Sequence, residues 1–104
     1  MTGYETVART PELGPGTVRE VRLHGRRLAL ANVGQTYYAL QGDCPADGAS
    51  LGEGRLNGDL LICPNDHAYD VRDGHAPDSP LSLVRYAIHV AGNEIQVGPP
   101  LNGE

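Results

Sequence analysis

Two stretches constrain this chain more than any others: Cys44-Pro45-Ala46-Asp47-Gly48-Ala49-Ser50-Leu51 and Cys63-Pro64-Asn65-Asp66-His67-Ala68-Tyr69-Asp70. Between them they hold both cysteines of the protein. Each begins with Cys-Pro and continues in small and acidic residues, a composition that favours loops over regular elements. His67, Asp47 and Asp66 lie beside the cysteines in sequence, so thiolate, imidazole and carboxylate donors are gathered in two short segments. Outside secreted chains, two cysteines more often serve as metal ligands, redox groups or inert thiols than as a structural disulfide.

The rest of the chain limits what such loops can be mounted on. With 104 residues there is room for one domain and a modest core. Fourteen glycines and eight prolines, with no tryptophan or phenylalanine, point to turns and short strands rather than helices. A net charge of −5 argues against nucleic acid or an anionic membrane surface as partner, because phosphate binding needs clustered lysine and arginine. The same charge can steer the molecule toward a basic face on another protein. No stretch approaches the roughly 20 apolar residues of a membrane span. The opening Met1-Thr2-Gly3-Tyr4-Glu5 lacks the basic and apolar regions of a secretory signal, so a cytoplasmic protein is expected.

Along the chain, residues 4–8 read as a strand and Pro11 to Gly16 as a turn-rich connection. Val21 and Leu23 alternate with Glu20 and Arg22, and His24-Gly25 supplies a two-residue hairpin turn. Leu28 and Leu30 alternate with Ala29 and Ala31 in the returning strand. Gly34-Gln35 is the next turn, ahead of the β-favouring run Thr36-Tyr37-Tyr38-Ala39-Leu40. From Gly42 to about Pro80 glycine, proline and aspartate become frequent. The one firm hairpin there is Leu56 to Leu60, read as an Asn57-Gly58 turn. Residues 83–90 form a further strand with Tyr86, Ile88 and Val90 on one face. Gly92-Asn93 then turns the chain into Glu94–Val97, and Gly98 to Glu104 reads as a frayed tail. The expected architecture is all-β: a basal antiparallel sandwich from residues 1–41 and 81–98, with a loop-rich subdomain over 42–80.

These features resemble the Rieske [2Fe-2S] domain, whose ligand loops run C-P-H-x-G-A-x-L and C-P-x-H-G-x-x-[FY]-D. The similarity extends along the whole chain. It includes Leu13-Gly14-Pro15-Gly16, the run from Arg27 to Val33, Tyr38-Ala39-Leu40, Glu53-Gly54-Arg55-Leu56 and Asp70-Val71-Arg72-Asp73-Gly74. Sixteen residues separate positions 46 and 63, a length typical of that motif. The resemblance implies a soluble ferredoxin-like electron carrier that serves a partner oxygenase or reductase. In that family two cysteines hold one iron and two histidines the other. Here Ala46 and Asp66 occupy the two histidine places, and the second loop is one residue shorter than the family form.

The resemblance therefore implies one of three fates for the cysteines. A [2Fe-2S] cluster with altered ligands would take Cys44 and Cys63 on one iron, with His67 and Asp66 or Asp47 on the other. A single Zn or Fe ion could instead be held by Cys44, Cys63, His67 and one aspartate. In the third, no metal is bound, Asp47, Asp66 and His67 are solvated loop residues, and the thiols are free or joined in a Cys44–Cys63 disulfide. That last form would be a non-redox interaction subunit like the small subunit of assimilatory nitrite reductase. His24, His75 and His89 read as turn or surface residues, and Tyr69 and Tyr86 as core aromatics. No nucleophile motif, phosphate loop or carboxylate pair accompanies the loops, so a catalyst in its own right is not expected.

Overall fold

The computed structural model describes residues 3–101. Nine strands are formed among these described residues, every ladder between them antiparallel: β1 (Glu5–Arg9), β2 (Thr17–Leu23), β3 (Arg26–Val33), β4 (Thr36–Gln41), β5 (Arg55–Asn57), β6 (Leu60–Ile62), β7 (Ala68–Asp70), β8 (Arg85–Ala91) and β9 (Glu94–Pro100). The only helical pieces among the described residues are two single 3-10 turns, Thr10–Glu12 and Leu51–Glu53. None is long or apolar enough to cross a membrane. Six strands make one sheet in the order β1-β9-β8-β4-β3-β2, and β5-β6-β7 make a second, smaller one. The large sheet rolls so that its edge strands β1 and β2 meet. His24 Nε2, in the β2–β3 turn, lies 2.6 Å from Glu5 Oε2 on β1.

Strand β3 divides two cores. Side chains alternate across a strand, so Leu28 and Leu30 enter a basal core with Leu13, Val21, Tyr86, Ile95 and Val97. Ala29 and Ala31 face the other way, into a core with Leu40, Leu51, Leu61, Tyr69, Val71 and Leu83. Both cysteines belong to this second core. The alternation of leucine with alanine in the sequence is thus the alternation between two buried faces, the alanine face being the one that lies under the loops.

Turn chemistry sets the hairpins. His24 and Gly25 adopt φ of 53° and 76°, the paired left-handed conformations of a type I′ turn, and Leu23 pairs with Arg26 across it. The β5–β6 hairpin departs from the sequence reading by one residue. Asn57 stays in the ladder opposite Leu60, so Gly58 and Asp59 form the turn. The C-terminal strand also runs further than expected: β9 continues through Pro100, which pairs with Tyr86, and the Leu101 N–H donates to the Arg85 carbonyl at 2.7 Å. Gly98 is buried under the Tyr4 ring, where an added Cβ would lie 2.7 Å from a ring carbon. Residues 102–104 of the expected tail lie outside the described residues.

Candidate metal centre

The first loop leaves β4 at Gly42, whose N–H donates to the Arg27 carbonyl at 3.0 Å. Arg27 Nε also donates to Asp43 Oδ1 at 2.7 Å, pinning the loop base to β3. The loop then closes on itself. The Cys44 N–H donates to the Ala49 carbonyl at 2.9 Å and the Gly48 N–H to the Cys44 carbonyl at 2.7 Å. Gly48, with φ of 78°, takes the left-handed conformation this return needs. Asp47 Oδ1 accepts from the Ala49 N–H at 3.0 Å, which orients its carboxylate.

The second loop follows β6 directly, so Cys63 is fixed by the end of a strand. The Cys63 N–H donates to the His67 carbonyl at 2.8 Å and the Asp66 N–H to the Cys63 carbonyl at 2.8 Å. This turn is tight, and Asp66 takes a φ of 71° within it. The reversal carries His67 back over the cysteine. The tight turn thus brings His67 to the thiols.

The two loops meet through their side chains. His67 Nδ1 lies 3.4 Å from Cys63 Sγ, 3.7 Å from Cys44 Sγ and 3.4 Å from Asp47 Oδ2. One ligating atom each from Cys44, Asp47, Cys63 and His67 lies within 4.8 Å of the other three. Both thiols are buried and not joined to each other. The imidazole is 44 % exposed, so the centre has a dry side and a wet one. Asp66, expected among the donors, is not in this group. Its Oδ1 instead accepts from Arg55 at 3.2 Å, pointing the carboxylate away along the surface. Ala46 supplies no donor and lines, with His67 and Ala76, a hollow of about 370 Å³ beside the centre.

Two residues that sequence reasoning did not assign to the site complete it. The Tyr69 hydroxyl lies 3.2 Å from Cys44 Sγ at the bottom of the centre. Asn65 donates its N–H to Cys63 Sγ at 3.3 Å and its amide to Asp47 Oδ2 at 2.6 Å, which ties the two loops together. The electrostatics follow from these contacts. Burial pushes the Cys44 thiol up. Burial and the Cys44 contact hold the Tyr69 phenol above its ordinary value, so it stays protonated. The Ala49 N–H and the Asn65 amide hold the Asp47 carboxyl down, so it stays charged. His24, His75 and His89 are exposed, and no described contact joins them to this group.

Comparison with known proteins agrees with this arrangement of strands and loops. A family model for the Rieske [2Fe-2S] domain matches residues 4–85. The chain is 35 % identical over 95 residues to ferredoxin CarAc of Metapseudomonas resinovorans, covering 88 % of this chain and 89 % of that protein. It is 35 % identical over 77 residues to the 3-phenylpropionate/cinnamic acid dioxygenase ferredoxin subunit of Escherichia coli strain K12, covering 70 % and 73 %. Among solved structures it resembles a chain in the complex of reduced oxygenase and oxidized ferredoxin in carbazole 1,9a-dioxygenase. There the TM-score is 0.88 at 31 % identity, with all of both chains covered. By a family match over most of its length and by relatives of nearly its own size, this chain belongs to the Rieske [2Fe-2S] domain family.

Proposed function

We propose that this protein is the ferredoxin-type component of an oxygenase system and delivers single electrons to a partner oxygenase from a metal centre at its loop tips. The observation that carries this reading is the match to ferredoxins, over all of both chains for the one in the carbazole 1,9a-dioxygenase complex and over 70 % of this chain for the 3-phenylpropionate/cinnamic acid dioxygenase ferredoxin subunit. The loop end would be the docking face. It presents the exposed edge of His67 and the carboxylates of Asp66 and Asp78, which suits a basic surface on the partner. A cytoplasmic location, where thiols stay reduced, belongs to the same reading.

Family membership implies a [2Fe-2S] cluster, and Cys44 and Cys63 are the residues that would hold its first iron. For the second iron the chain offers His67 with Asp47. An aspartate in place of a neutral imidazole adds negative charge to the centre, which lowers its reduction potential relative to a two-histidine cluster.

The test is potentiometric titration of protein purified without oxygen and reconstituted with ferrous iron, in one arm with sulfide and in the other without. A reversible one-electron couple within about −700 to +450 mV, the span of iron–sulfur centres, is expected. Silence across that range in both arms would contradict electron transfer.

A further inference from the structure

In a [2Fe-2S] cluster two sulfides bridge the irons, so the ligands of one iron stand across the core from those of the other. The donors here are not divided in that way. His67 Nδ1 is 3.4 and 3.7 Å from the two sulfurs and 3.4 Å from the Asp47 carboxylate. At those separations no core of two irons and two sulfides fits between the imidazole and the thiols. As arranged, these residues do not fit the family's cluster.

They fit one ion. With metal–sulfur bonds of about 2.3 Å and metal–nitrogen bonds of about 2.0–2.1 Å, neighbouring corners of a tetrahedral shell stand roughly 3.5 Å apart. The three distances from His67 Nδ1 all fall near that edge length. We propose that Cys44, Cys63, His67 Nδ1 and Asp47 hold a single divalent first-row metal ion in a tetrahedral shell of two sulfurs, one nitrogen and one oxygen. Binding releases the two thiol protons, so a 2+ ion with two thiolates and one carboxylate leaves a centre of net charge −1. The surroundings are those of a built site. Asn65 fixes the Asp47 carboxylate and donates to the Cys63 sulfur, and Tyr69 reaches the Cys44 sulfur. Zinc binds such a donor set more tightly than ferrous iron does. The iron form supplies a one-electron ferrous/ferric couple, whereas the zinc form is a redox-silent clasp between the loops. The inference deepens the proposed function but depends on it only for the choice of iron.

The experiment titrates the full chain, metal-free and with its thiols reduced, with Co²⁺ in the absence of oxygen. Saturation at one cobalt per chain is expected, with thiolate-to-metal charge-transfer bands and the intense visible bands of a tetrahedral ion. Zn²⁺ should displace it one for one and protect both cysteines from alkylation. His67→Ala and Asp47→Asn should each weaken binding at least tenfold, whereas Asp66→Asn should change it less than twofold. The wild-type titration decides the stoichiometry even if a variant fails to fold. Weak octahedral bands, two ions per chain, or equal losses for Asp66→Asn and Asp47→Asn would overturn the proposal. So would reconstitution with iron and sulfide to two irons and two labile sulfides per chain. A one-cobalt site in a chain with no one-electron couple keeps this inference and removes the electron-transfer role. Two irons, two sulfides and a reversible couple do the reverse.

Discussion

Tyr69 shows how a single side chain can serve both core and centre. Its ring is 1 % exposed and packs in the loop core, while its hydroxyl sits 3.2 Å from Cys44 Sγ. Because the phenol stays protonated, it can donate to a thiolate and stabilise the charge that metal binding creates. Tyr69→Phe keeps the ring and removes only this donor. Metal affinity is expected to fall about 10–100-fold, as for other groups that support a ligand, with the circular dichroism spectrum unchanged. Unchanged affinity in a competition titration would show that the contact is packing alone. Such roles are hard to read from sequence because they depend on where a core aromatic's far end arrives. The same holds for the aspartates. Asp47 and Asp66 look equivalent in the chain, each three residues after a cysteine. The Ala49 N–H and Asn65 turn one carboxylate inward, while Arg55 draws the other outward.

Between the sheet and the loops, contact depends on backbones approaching closely. Gly52, in the 3-10 turn Leu51–Glu53, lies against β2, and a Cβ there would stand 2.4 Å from the Glu20 nitrogen. Gly54 is as confined, its Cβ position falling 2.0 Å from the Ile62 carbonyl oxygen just ahead of Cys63. Gly52→Ala should therefore push the loop core off β2 and destabilise the protein by about 1–3 kcal/mol, read as a lower denaturant midpoint. An unchanged midpoint would mean that this junction yields freely. The strands themselves were legible, because alternation and turn residues are local signals. Two features were not. Asn57-Gly58 looks like the turn, but the pairing of Asn57 with Leu60 moves it to Gly58-Asp59. Pro99-Pro100 suggests a loose tail, yet β1 pairs with β9 only as far as Val97, so among the described residues the prolines lie where that strand has a single neighbour.

For the whole molecule, the fold and the metal chemistry rest on different parts of the sequence. The match over residues 4–85 and the likeness of the whole chain to a solved ferredoxin place it in its family and fix its fold. What the loops can hold depends on a few of their side chains: Ala46 supplies no donor, and Asp66 is turned outward to Arg55. The tight second loop brings His67 against both sulfurs, and in our proposal Asp47 completes a shell for one ion in place of a four-atom core. The measurement that tests this most directly is metal and acid-labile sulfide analysis of the full chain purified without oxygen or chelator. One metal ion and no labile sulfide per chain is the predicted result. Two irons with two sulfides would contradict it.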